Sequence, residues 1–366
     1  MQKIEDKHAG VLLEYSLQLK KGDKLYIRGN LATLPLIRAA YRCAVQLGAL
    51  PQVRITDEVL EESLLKYGSN NQIQYIPASD YTLVKDFDVF LTFLGSENTK
   101  SLSNIDPEKV KLQTRGKKEY SEIFYDRWAK KEIRCCISLF PTHAEAQEAD
   151  MSLPEYEEFV YNACRLYEED PVAVWKEVEK QQESICTVLD SKKQLRIVSE
   201  DTDLRCSVEG RKWINCCGKV NFPDGEVFTG PVEDSVDGHI RFSFPGIYQG
   251  REIEDVRLTF KKGKVVNATA AKGEELLVKL LDTDDGARFV GEIAVGTNQN
   301  IKRFTKNILF DEKIGGTVHL ALGRSLPESG GKNSSTIHWD MLCDMKKGGT
   351  IFADDEIIYE NGVFRI

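Results

Sequence analysis

Long apolar runs are missing from this chain. No stretch of its 366 residues approaches the roughly 18–20 consecutive apolar residues that a membrane helix needs. The opening MQKIEDKHAG is charged and has no apolar signal core, so neither membrane insertion nor secretion is expected. Positive charge is in deficit: 49 Lys and Arg stand against 58 Asp and Glu, a net charge of −9. That balance argues against nucleic-acid binding, which depends on a basic face to neutralise phosphates. No CxxC occurs among the nine cysteines, and Cys135–Cys136 and Cys216–Cys217 are adjacent pairs. Such pairs suit neither a disulfide framework nor a structural zinc site, so free thiols in a reducing, cytoplasmic setting are expected. There is no GxGxxG after an apolar strand, no GxxxxGK[ST] and no GxSxG. Dinucleotide binding, a phosphate loop and a serine-hydrolase elbow therefore find no support.

What is present is ordinary for a globular protein, with 41% apolar and 29% charged residues, and the length suits two domains. The first half alternates strand and helix patterns. Strands are expected at 24–28, 53–56, 89–94 and 133–140, with helical periodicity over 31–47. Tandem units of this kind predict a mostly parallel sheet covered by helices. Leu153-Pro154-Glu155 and Asp170-Pro171 read as helix starts, with proline in the first turn. The second helix runs to about Leu189, which puts the domain boundary near 191–193. Residues 1–190 are thus expected to form an α/β domain. Residues 191–366 read as a strand-rich α+β domain, with strands at 195–199, 203–208, 237–244, 253–260, 264–270, 315–322 and 350–353. A helix is expected at 272–281, and Lys261-Lys262-Gly263-Lys264 reads as a hairpin turn.

The strand-rich half also holds an unusual set of donors. His338-Trp339-Asp340 is His-x-Asp in an apolar run, and on a strand residues i and i+2 share a face. His319 lies on a strand bracketed by glycines, and Glu226 and Glu292 each follow a glycine at the edge of a short apolar strand. Taken singly, each has a plainer reading, as a hydrogen-bonded core imidazole or an exposed strand end. Taken together, two Glu, two His and one Asp could bind a pair of divalent cations, a familiar hydrolytic device.

Several motifs carry a family resemblance. They are Phe222-Pro223-Asp224-Gly225-Glu226-Val227-Phe228-Thr229-Gly230-Pro231, Asp234-Ser235-Val236-Asp237-Gly238, Gly291-Glu292-Ile293-Ala294-Val295-Gly296, His319-Leu320-Ala321-Leu322-Gly323 and Asn333-Ser334-Ser335-Thr336-Ile337-His338-Trp339-Asp340, in that order. Pro141-Thr142 and the stretch Gln147-Glu148-Ala149-Asp150-Met151-Ser152 extend them into the first half. With these motifs the chain resembles the aminopeptidase T/aminopeptidase S family of two-metal peptidases. The resemblance implies a metal-bearing C-terminal domain, a homodimer, a peptide substrate and removal of N-terminal residues. It implies Glu226, Glu292, His319, His338 and Asp340 as ligands of two divalent ions, Zn²⁺, Co²⁺ or Mg²⁺. One departure concerns catalysis: Leu326 stands where the family carries a tyrosine, and leucine cannot donate a hydrogen bond to a developing oxyanion. A catalytically weakened metal-binding protein is therefore a second reading. A third takes His319, His338 and Asp340 as the two-His-one-carboxylate triad of a non-haem Fe(II) ring-opening dioxygenase. That triad has no use for Glu226 and Glu292, which favours the hydrolase.

Overall fold

The computed structural model describes residues 3–248 and 250–366. The chain divides into two compact units, residues 1–174 with 218–223 and residues 175–217 with 224–366. This differs from the division at 190/191 expected from the sequence. The helix Pro171–Asp190 lies mostly in the second unit, and a short later segment returns to the first.

The first unit is built on a parallel five-stranded sheet in the spatial order Leu50–Thr56, Lys24–Asn30, Val89–Leu94, Arg134–Leu139, Asn221–Phe222. The apolar run at 89–94 is buried at four of six positions, as expected for an inner strand covered on both faces. Helix Leu34–Gln46 begins with proline in its first turn and buries Leu36, Ile37, Ala39, Ala40 and Ala44. Helix Leu153–Ala163 opens with a capping box between Ser152 and Glu155, which satisfies two otherwise unpaired backbone N–H groups.

The second unit contains an eight-stranded sheet and a five-stranded sheet whose paired strands are antiparallel. Both contribute to a single core that includes Leu195, Ile197, Leu204 and Ile351 from one sheet and Val227, Ile293, Leu320 and Met341 from the other. The single strand expected at 253–260 is in fact two, Arg251–Ile253 and Arg257–Lys261, in different sheets. Asp255 sits between them at φ 51°, a left-handed conformation that Asp tolerates better than most residues. Arg241 and Arg257 donate to its carboxylate at 2.6 and 3.3 Å and pin the break.

Candidate metal centre

Four of the five strands of the smaller sheet carry the expected donors. The strands lie in the order His338–Asp344, Thr317–Gly323, Val290–Gly296, Glu226–Thr229, Ile214–Cys216. Register places Glu292 opposite Ala321 and Ala321 opposite Asp340. Ala294 pairs with His319, Gly296 with Glu226, and Gly323 with His338. Directly paired residues share a face, so the five donors stand on one face, where alanine and glycine leave them room. Alternate positions Val227, Ile293, Val295, Val318, Leu320, Leu322, Trp339, Met341 and Cys343 pack into the core. A one-residue slip of any of these strands would turn its donor into that core.

The Gly-Glu pairs have a local cause. A Cβ on Gly225, whose φ is 131°, would lie 2.8 Å from the Asn298 Cβ. A Cβ on Gly291 would collide with the Arg324 carbonyl oxygen. Only glycine permits these approaches, and each sets the glutamate that follows. Gln182, buried on the long helix, donates to the Glu226 and Cys216 carbonyls at 3.0 and 2.9 Å and accepts from Thr297 at 2.8 Å.

The structure brings all five sequence-expected residues together. His319 Nε2 lies 3.3 Å from Glu292 Oε1 and 3.4 Å from Glu226 Oε2. His338 Nε2 lies 3.7 Å from Glu292 Oε2 and 3.5 Å from Asp340 Oδ1. Glu226, Glu292 and His319 can bring three ligand atoms within 4.8 Å of one another, as can Glu292, His338 and Asp340. Glu292 belongs to both triads. His338 Nδ1 is 2.8 Å from the Arg324 carbonyl oxygen. Because a carbonyl only accepts, Nδ1 carries a hydrogen, and neutral His338 presents the lone pair of Nε2 to the carboxylates.

Charge and burial are poorly balanced here. Glu226 and Glu292 are each 5% exposed, and His319 is 0% exposed. Burial pushes the Glu292 pKa up, helped by Asp340 and Glu226 and opposed by His319. Burial opposes imidazolium at His319, but Glu292, Glu226 and Asp340 outweigh it and raise its pKa. The same contest at His338, with Asp340 and Glu292 as the charged neighbours, raises its pKa to about 9. Burial works against charge on Asp340 too, yet His338, His319 and Lys313 hold its pKa below the ordinary value. Glu226 Oε2, His319 Nδ1 and Asp340 Oδ1 are buried without a hydrogen-bond partner. Such atoms are costly unless something binds them. Mixed imidazole and carboxylate donors with spare oxygens fit divalent cations, which also displace the protons that now balance the charge.

Sequence reasoning missed four neighbours. Asp224, Cys216 and Glu226 form a further close group, and Glu312 reaches His319 and Asp340. Lys313 is 0% exposed, with its ammonium 3.4 Å from Glu226 Oε1 and in contact with the Glu312 carboxylate. Asp224 lies inside one of the motifs already noted, whereas Asp311-Glu312-Lys313 reads as an ordinary solvated turn. Leu326 is half-buried, and its carbonyl accepts from Ser329 N and Oγ at 3.1 and 2.8 Å.

The chain is similar over nearly its whole length to known proteins. Aminopeptidase 2 of Geobacillus stearothermophilus is 29% identical over 383 residues, spanning 93% of this chain and 92% of its own length. Aminopeptidase T of Thermus thermophilus is 28% identical over 400 residues, spanning 98% and 95%. The structure of wild-type AmpT from Thermus thermophilus superposes with a TM-score of 0.87 over 99% of both chains at 23% identity, which establishes the shared fold. The sequence profile described as thermophilic metalloprotease (M29) matches residues 1–364. The chain therefore belongs to the thermophilic metalloprotease (M29) family and is, by that membership, a hydrolase.

Proposed function

We propose that the protein is an aminopeptidase that removes N-terminal residues from peptides and uses two divalent cations, Zn²⁺, Co²⁺ or Mg²⁺. Glu226, Glu292 and His319 would hold one cation, and Glu292, His338 and Asp340 the other. The observation that carries this reading is the presence of buried Glu292 in both donor triads. Bound cations of this kind polarise a carbonyl and lower the pKa of water toward neutrality. The chain's own residues prepare the site. The Arg324 carbonyl orients the His338 ring, the sheet register aligns the donors on one face, and the packed opposite face excludes water behind them.

The relatives' names support the substrate class, a peptide with a free N-terminus. They also favour the hydrolase over the iron-dependent dioxygenase, in which Glu226 and Glu292 would have no part. All nine cysteines are free, which supports a reducing, cytoplasmic setting. Among the described residues no helix is long and apolar enough to cross a membrane. The family resemblance supports a homodimer, with residues 191–366 as the catalytic portion.

The test uses metal-stripped protein reloaded with each ion and offered aminoacyl p-nitroanilides, free peptides and N-acetylated peptides. The reloaded forms are expected to release p-nitroaniline and free N-terminal amino acids, and to leave acetylated peptides intact. Cleavage of acetylated peptides, or no release by any loaded form, would reject the proposal. Oxygen uptake with Fe²⁺ and no peptide cleavage would point to the dioxygenase instead.

A further inference from the structure

One buried charge in the centre has no place in the ligand set. Lys313 is fully enclosed, and a buried ammonium is tolerated only where opposite charge and hydrogen bonds repay its lost hydration. Glu226 Oε1, at 3.4 Å, and Glu312 supply that compensation, while Asp224 and Asp340 add to the field. The backbone delivers the side chain there. The Lys313 carbonyl accepts from Asn298 N at 3.1 Å, and Asn298 Nδ2 donates to the Asp224 carbonyl at 2.9 Å. Thr297 N donates to the Gly225 carbonyl at 2.8 Å. Residues 297–298 thus tie the approach to Glu226 and the approach to Lys313 into one frame.

The two oxygens of Glu226 consequently face different groups. Oε1 faces the ammonium, and Oε2 faces His319 Nε2 at 3.4 Å, where it has no hydrogen bond. The ammonium also lies beside the Cys216, Asp224 and Glu226 group, whose donor atoms come within 4.8 Å of one another. We propose that Lys313 is a positioning residue, a resident cation that occupies Oε1 of Glu226 so that this carboxylate offers the metal centre a single oxygen. This rests on the metal reading above. The role needs only a fixed positive charge at Nζ.

The test is the visible spectrum and affinity of Co²⁺ in wild type, Lys313→Met and the double variant Lys313→Met/Glu312→Gln. Methionine is unbranched and fills irregular core space. The double variant also neutralises Glu312, so it leaves one fewer unpaired carboxylate than the single variant and is the form read if the single one does not fold. With Nζ gone, Glu226 can offer both oxygens. The coordination number of the bound Co²⁺ then rises and its d–d band weakens. The loss of a nearby like charge tightens binding by about tenfold. A weakened band in either folded variant supports the role of Lys313. A wild-type band in the folded single variant, or in the double variant where the single fails to fold, overturns it and leaves the metal centre standing. A wild-type protein that binds no Co²⁺ at all overturns the metal reading, and this inference with it.

Discussion

At the scale of single residues, the site turns on Glu292, which belongs to both donor triads. Glu292→Ala is expected to abolish binding of both cations, whereas His338→Ala spares the Glu226, Glu292 and His319 triad and loses one. Equilibrium dialysis against Zn²⁺ counts the ions, and equal losses from the two variants would contradict the shared role. In metal-free protein, burial and two neighbouring carboxylates make charge on Glu292 unfavourable. Glu292→Gln is therefore expected to raise the unfolding midpoint of that form while impairing metal binding, a trade of stability for function. The five donors were legible in the sequence because each stands in an odd setting, as His-x-Asp in an apolar run or glutamate after glycine. Lys313 was not, because its setting in the sequence is that of a surface turn and only the fold encloses it. A second buried group makes a prediction about pH. His8 is 1% exposed, with Nε2 2.8 Å from Ser138 Oγ, and burial lowers its pKa from 6.5 to about 3. Below pH 6.5 the unfolded chain binds a proton that the folded chain refuses until about pH 3. The stabilisation is thus whole above 6.5 and is lost as pH falls, at about 1.4 kcal/mol per pH unit. Denaturant unfolding should show wild type losing stability between pH 6.5 and 4 more steeply than His8→Gln, which keeps a nitrogen for Ser138 but does not titrate. Parallel curves would contradict this.

Among elements, the strands of the donor-bearing sheet divide their labour by face. Ala294 stands beside His319 on the donor face, and Leu320 points into the core. Ala294→Leu is expected to block metal binding while costing about 1–3 kcal/mol of stability from overpacking. Leu320→Ala should cost about 2–5 kcal/mol through the lost burial and the cavity, yet bind metal with near wild-type affinity. Calorimetric metal titration beside thermal unfolding separates the two effects, and a reversal of the pattern would reject the assigned faces. The donor-bearing strands were readable as short apolar runs that follow a glycine, lie between glycines or carry His-x-Asp, and the 89–94 run was readable because continuous apolarity marks a strand covered on both sides. The 253–260 segment misled because apolar residues stand on both sides of Glu254-Asp255, where the contacts of Asp255 with Arg241 and Arg257 turn the chain. No local pattern announces those partners.

For the whole molecule, alternating strand and helix patterns followed by a strand-rich half were sufficient to indicate an α/β unit and a strand-rich α+β one. The return of residues 218–223 to the first unit was not legible. Asn221–Phe222 is only two residues long and gains its place from its parallel neighbour Arg134–Leu139, not from its own propensity. Convergence of the donors from four strands is likewise a property of the complete sheet. Its most direct test is anomalous scattering from crystals of the protein soaked in Zn²⁺ and recorded on either side of the zinc edge. Two peaks per chain are expected, one among Glu226, Glu292 and His319 and one among Glu292, His338 and Asp340. A single peak, or peaks that leave Glu292 uncoordinated, would contradict the two-cation centre.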